Sequence, residues 1–325
     1  MNDKTYSPVF IVTVDTESDD AWYKPEVIKL DNMKEIPRFQ DLCVKYDIIP
    51  TYLLSYECAT REEAVSILKP ISDSQKCEIG HHLHSWSTPP FQRKNNNGDV
   101  DLEWIHAYQS ELPDSLFEEK AENLKEKIKQ NYGIYPTSHR AGRFGIDQRS
   151  IDWLIKNKFV VDTTVVPLKD YSLYKGKKNG GPDFDNKSMK PYLWKGSHGN
   201  SLLEIPVSVY YPSNFFKKSF FRKETLGKKI GNKFKIGRLL SLNPEFSEDF
   251  NEIMIKSEIR NKKLIINLFL HSSELALNCS PFSNNIENYK KVWLILEKTF
   301  KFIKMNNMRS LTLTQAAGYL KQSLV

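Results

Sequence analysis

The chain has 325 residues, 40% hydrophobic and 27% charged, with a formal net charge of +7 at pH 7. This composition excludes a disordered or fibrous chain and supplies the apolar residues for one large α/β core. The positive charge is local: between Lys217 and Arg238 nine bases stand against one acid, Glu224, so no nucleic-acid partner is expected from the net charge.

No apolar run approaches the roughly 18 residues of a membrane span. Residues Met1 to Pro8 lack the apolar stretch of a signal peptide. The cysteines Cys43, Cys58, Cys77 and Cys279 are scattered without paired spacing. They are expected as reduced thiols in a cytoplasmic protein.

Val9-Phe10-Ile11-Val12-Thr13-Val14 predicts a buried first strand. It runs into Asp15-Thr16-Glu17-Ser18-Asp19-Asp20. Asp15 and Glu17, spaced at two, share a face. They read either as an acidic loop capping a helix or as one metal ligand and one general base. Met33, Ile36, Phe39 and Leu42 mark one helix face, and Pro37 limits how early that helix starts. Ile48 to Leu54 reads as a second strand, Arg61 to Leu68 as a short helix stopped by Pro70, and Glu78 to Leu83 as a third strand.

That third strand ends in Gly80-His81-His82-Leu83-His84-Ser85-Trp86, which holds three of the seven histidines. Strand alternation turns His82 and His84 one way and Leu83 back into the core. Two imidazoles so placed make half of a metal site, although a solvated histidine-rich turn has the same spelling.

Residues 92–111 are polar and read as a surface loop. Ser115-Leu116-Phe117-Glu118 fits a capping box, opening a helix with Leu116, Leu124 and Ile128 inward and Gly133 at its end. Tyr135 to Arg140 begins another strand-to-loop passage, Ser150 to Lys158 reads as helix, and Phe159 to Asp162 as strand. Residues 169–200 form a long excursion, a length that usually marks function. Leu202 to Val209 returns as a strand. The apolar run Leu264 to Leu270 ends at His271, followed by Ser272-Ser273-Glu274-Leu275. An apolar helix from Tyr289 to Lys304, then Ser310 to Leu313 and a short helix, close the chain.

Strands alternating with helices argue for a parallel sheet or barrel, with its site at the carboxyl ends of the strands. Asp15, Glu17, His82, His84, Arg140, Asp162 and His271 all fall at such ends. His271 reads as a structural histidine or, with Glu274 nearby, as a general acid. In His139-Arg140-Ala141-Gly142-Arg143-Phe144-Gly145 the arginines form a surface turn or orient a catalytic carboxylate.

In this order the motifs resemble the polysaccharide deacetylases of the NodB-homology class, carbohydrate esterase family four, over residues 8 to 275. Asp15-Thr-Glu17, Gly80 to Trp86 and His271 to Glu274 are most similar to a divergent branch found near surface-polysaccharide genes. The resemblance implies a distorted (β/α) barrel with about seven parallel strands, here as one domain over 1–325 with insertions near 92–111, 169–200 and 211–245. It implies hydrolysis of an N-acyl group, usually acetyl, on an amino sugar, with a zinc-like divalent metal. Asp15 lies over the family's catalytic base, Arg140 over the arginine that pairs with it, and His271 over the late general acid. Thr16 and Trp86 stand where the family has metal ligands, so those roles move to Glu17 and His84, beside His82. Trp86, Arg143, Asp162 and Glu274 are expected at the substrate, and Trp22, Trp104 and Trp194 are further candidates for stacking on sugars. Some relatives of this fold hydrolyse amides without a metal. A deformylase or other amide hydrolase and an inactive glycan- or lipid-binding barrel are the competing readings.

From Asn214 to Arg238, phenylalanines interleave with bases. Such a segment reads as a solvated insertion or as an interfacial one, placing the protein peripherally at the inner membrane face, with single-stranded nucleic acid the least favoured reading. A lipid-linked or nucleotide-linked sugar would give these bases a purpose.

Overall fold

Strand β1 (Val9–Thr16) is buried along its whole length because it is paired on both edges: with β2 (Pro50–Leu54) on one side and β10 (Ile265–His271) on the other. A computed structural model describes residues 8–21, 23–211 and 238–324. Trp22 and the greater part of the basic segment, 214–237, lie outside the described residues.

The sheet continues through β3 (Glu78–Leu83), β4 (Ser138–Ala141), β5 (Val161–Asp162) and β7 (Ser201–Glu204), in the order β10-β1-β2-β3-β4-β5-β7-β6. All pairings from β10 to β7 are parallel; β6 (Tyr192–Lys195) joins β7 antiparallel. A short β11 (Arg309–Ser310) pairs with β1 below the level of the site. The mostly parallel sheet curls into a half-barrel, the distorted (β/α) barrel expected from the motif order. The remaining side is spanned by a ribbon of β8 (Val209–Tyr210) and β9 (Arg238–Leu239). The Ser208 N–H donates to the Asn267 carbonyl at 3.2 Å and the Phe269 N–H to the Leu240 carbonyl at 3.0 Å, which ties that ribbon to β10.

Eight helices accompany the strands among the described residues: α1 (Ile36–Lys45), α2 (Tyr56–Thr60), α3 (Glu62–Asp73), α4 (Asp114–Tyr132), α5 (Gln148–Lys156), α6 (Phe250–Arg260), α7 (Ile286–Met305) and α8 (Leu313–Leu324). α1 and α7 cover β1: Phe300 packs edge-on against Phe10 at 6.4 Å and lies 6.2 Å from Phe39 between ring centroids. Each such side chain contributes about 1.5–3 kcal/mol by leaving water. Among the described residues no helix is long and apolar enough to cross a membrane, and the four cysteines form no disulfide.

Three local expectations are corrected. Helix α3 continues through Pro70 to Asp73: the proline removes its own N–H from the backbone ladder without ending the helix. The capping box at Ser115 does not form: Pro113 is the N-cap residue and the helix already begins at Asp114. Residues 92–111 are more than a polar surface loop. They carry buried Val100, Trp104 and Tyr108, and the buried Asp101 carboxylate accepts from the N–H groups of Gln92, Arg93 and Glu103.

Candidate active site

Register brings the charged residues together. Asp15 of β1 lies opposite His271 of β10, and His82 of β3 lies opposite Arg140 of β4. The strand ends open on a cavity of about 550 Å³ whose lining includes Asp15, Glu17, His82, His84, His271 and Glu274. Residues separated by more than 250 positions thus share one concave surface at the carboxyl edge of the sheet.

Glu17 sits at the centre. Its Oε2 is 2.6 Å from His84 Nε2 and 3.6 Å from His82 Nε2, and its Oε1 is 4.0 Å from His271 Nε2. Its own N–H donates to Ser272 Oγ at 3.2 Å, and its carbonyl accepts from Asn32 Nδ2 at 3.0 Å, so its backbone is held from both sides. Burial pushes the Glu17 carboxyl up, but hydrogen bonds from His82 and His84 and the charges of His84 and His271 hold it far below the usual carboxylate range. His82 Nδ1 donates to the Arg140 carbonyl at 2.9 Å, a bond that turns Nε2 toward Asp15 at 3.7 Å and toward Glu17. Burial lowers the His82 imidazole, yet Asp15 and Glu17 raise it above its ordinary value. The space between these groups favours positive charge, whether a proton or a metal ion.

The donor set of Glu17, His82 and His84 fits a divalent cation. Its three ligand atoms lie within 4.8 Å of one another, and all three residues are buried. Mixed imidazole and carboxylate donors suit zinc, and the His82–carbonyl bond is the outer support such ligands need. The 2.6 Å between His84 and Glu17 is shorter than the roughly 3.3 Å between neighbouring ligands of a tetrahedral zinc, so loading would part that pair slightly. His84 Nδ1 is buried without a hydrogen-bond partner, consistent with a ring positioned by packing. The Trp86 and His84 ring centroids lie 4.4 Å apart, and a Cβ on Gly142 would stand 2.8 Å from His84 Nδ1.

Asp15 is oriented from below. Arg140, fully buried, places Nη1 2.6 Å from Asp15 Oδ1, while Nη2 donates to Thr13 Oγ1 at 2.8 Å and Nε to the Thr163 carbonyl at 3.0 Å. Asn267 bridges Thr163 Oγ1 at 2.9 Å and Thr13 Oγ1 at 3.2 Å, and the Phe269 ring lies 4.8 Å from the guanidinium. Sequence reading missed Thr13, Thr163 and Asn267. An asparagine in the middle of an apolar strand was the available signal.

His271 Nδ1 donates to Glu274 Oε1 at 2.8 Å, which directs Nε2 to the cavity. Burial lowers this imidazole, but Glu274, Glu17 and Asp15 together raise it above its ordinary value.

Asp162 is the expectation the geometry corrects. It is fully buried and does not line the cavity. His81, His139, Asp162 and Glu204 lie in register across β3, β4, β5 and β7, a row separate from His82 and Arg140 because successive residues of a strand face opposite sides. His139 Nδ1 donates to Asp162 at 2.6 Å, and Asp162 accepts from the Thr164 N–H at 3.0 Å. It thereby fixes the turn that presents the Thr163 acceptors to Arg140, a positioning role. Trp104 and Trp194 also stay outside the cavity: Trp104 is buried with its N–H on Gln92, and Lys187 covers Trp194 at 3.9 Å. Thr16 donates to the Val14 carbonyl, away from the donor set.

No family model and no curated protein matches this sequence. Among solved structures, the chain is similar to a Mycobacterium smegmatis protein assigned as a polysaccharide deacetylase. The TM-score is 0.59 at 13% identity, over 100% of this chain and 94% of that one. Lower similarity extends to the peptidoglycan deacetylase PdaC of Bacillus subtilis, with TM-score 0.43 and 12% identity over 98% and 93% of the two chains. It also extends to a carbohydrate esterase family four pseudoenzyme of Bacillus anthracis, with TM-score 0.45 and 7% identity over 96% and 66%. The first of these similarities shows the fold: over its whole length the chain is structurally similar to a polysaccharide deacetylase, at low sequence identity.

Proposed function

We propose that this protein is a metal-dependent amide hydrolase that removes an N-acyl group, acetyl in the first instance, from an amino sugar in cytoplasmic steps of cell-surface polysaccharide synthesis. The observation that carries the reading is the meeting of Glu17, His82 and His84 with the Arg140-held Asp15 and the Glu274-held His271 in one cavity.

When bound at Glu17, His82 and His84, a divalent cation supplies Lewis acidity at the reacting carbonyl. Asp15, held by Arg140, accepts a proton from the attacking water through Oδ2. Arg140 occupies Oδ1 and so fixes which oxygen does this. His271, raised by its acidic neighbours, carries the proton that the departing nitrogen needs. Glu274 keeps the ring aimed. Trp86, packed on His84, walls the cavity beside the ligands and excludes water from that side.

A second reading rests on the His84–Glu17 hydrogen bond, which pairs His84 Nε2 with Glu17 Oε2 without an ion. In that case the hydrolase works metal-free. Elemental analysis of purified protein, with amine release from acetylated amino sugars before and after chelation, decides between them. Zinc bound at one equivalent and activity lost on chelation support the first reading; unchanged activity supports the second. Absence of any amine release, with sugar binding retained, would leave an inactive binding barrel.

A further inference from the structure

We infer that the mouth of this cavity receives a phosphoryl group carried by the amino sugar, with Arg143 and Arg238 as its receptors. The inference rests on the hydrolase reading above for the sugar and extends it to the substrate's charge.

The cavity is polarised. Its floor acids Asp15, Glu17 and Glu274 each have a basic partner, in Arg140, His84 and His271 respectively. Its other charged lining residues, apart from the histidines, are Arg143, Lys169 and Arg238, all basic. Neither arginine forms an ion pair with a carboxylate among the described residues. Arg143 is tethered by the carbonyls of His106 and Lys175 and lies 4.3 Å from the Tyr108 ring centroid. Arg238, on β9, lies 5.1 Å from the Phe246 ring centroid, and its Nε is buried without a hydrogen-bond partner.

The backbone is strained at the same place. Arg143 and Phe144 both adopt the left-handed conformation, with φ of 53° and 60°. Two consecutive non-glycine residues so placed persist when the surrounding structure fixes them, and such strain concentrates at ligand-holding sites.

Half-buried guanidinium groups with no carboxylate in ion-pair contact among the described residues favour an anion, and for Arg143 the nearby Glu111 charge offsets this only in part. Their planar forks match phosphoryl oxygens two at a time. Two guanidinium groups lining one cavity suit a mono- or diphosphate. A cavity of about 550 Å³ is in the range that encloses a ligand larger than one sugar ring. A nucleoside diphosphate and a lipid diphosphate share this chemistry.

The test is calorimetric titration of metal-free protein with inorganic pyrophosphate, for the wild type, Arg143→Gln, Arg238→Gln and the double variant. The wild type binds; each single variant binds about tenfold more weakly and the double about a hundredfold, while zinc stoichiometry is unchanged. Should Arg143→Gln unfold, Arg238→Gln decides the outcome, because the Arg238 side chain makes no hydrogen bond to another described residue. Uridine diphosphate and geranyl diphosphate are then titrated: tighter binding of the first assigns a nucleoside-linked substrate, and of the second a lipid-linked one. Wild-type protein that fails to bind pyrophosphate, or binds it no more tightly than the double variant, overturns the inference. Failure of the hydrolase reading looks different: pyrophosphate binding persists while no amine is released.

Discussion

The guanidinium of Arg140 and the carboxylate of Asp15 lie 2.6 Å apart, both shut away from solvent, although 125 positions separate them in the chain. Such a pair holds its geometry strongly and tolerates the loss of one member poorly. Arg140→Ala strands Asp15 beside Glu17 without its partner and should lower stability by about 3–5 kcal/mol. Asp15→Asn keeps the shape and should cost about 10²–10⁴ in kcat by removing the base. Thermal melts and amine-release rates measure the two effects; wild-type turnover in Asp15→Asn would refute its role.

Glu17→Gln removes the negative charge on which His82 and His84 converge. Zinc affinity should drop by more than the roughly 10–100-fold that loss of an outer partner costs. Equilibrium dialysis against zinc reads this directly. An unchanged affinity would place the ion elsewhere.

Gly142→Ala tests the packing behind His84. An added Cβ would stand 2.5 Å from the Leu83 carbonyl oxygen and 2.8 Å from His84 Nδ1. The backbone oxygen cannot move away, so the imidazole should. A stability loss of about 1–3 kcal/mol is expected, together with weakened zinc binding. Crystallography of the variant should show the ring rotated away from Glu17.

Glu204 gives a pH signature remote from the reaction. Burial, reinforced by the negative charge of Asp162, holds its carboxyl well above the usual range, whereas burial of Asp162 is outweighed by His139 and keeps that carboxyl low. The folded protein therefore binds a proton at Glu204 that the unfolded chain releases near pH 4.5. This contribution is fully present below pH 4.5 and is lost as pH rises toward the folded value, at about 1.4 kcal/mol per unit. Glu204→Gln mimics the protonated form and keeps an acceptor for the Val165 N–H. The variant should match wild type at pH 4 and melt progressively higher than it toward pH 7. Parallel melting curves across that range would show Glu204 to be ionised in the fold.

The site was legible where chemistry and spacing coincide. Asp15 and Glu17 at a spacing of two, and His82 and His84 at a spacing of two, each point as strand alternation requires, and the shift of ligand roles from Thr16 and Trp86 to Glu17 and His84 agrees with where the atoms lie. Asp162 was misread because a strand end looks the same from either face. Which face meets the cavity depends on the neighbouring strand's register, here His139 against Asp162.

By itself the sequence determined the alternation of strands and helices, the burial of β1 and β10, and the three groups, Glu17, His82 and His84, that could hold a cation. Those follow from local propensity and the period of side-chain direction, which are properties of short stretches. The tertiary structure alone decided that Arg140 reaches Asp15 through Thr13, Thr163 and Asn267, that Glu274 aims His271, and that Arg143 and Arg238 face one opening. Those relations depend on the curl and register of the sheet, which arise from the packing of the whole chain.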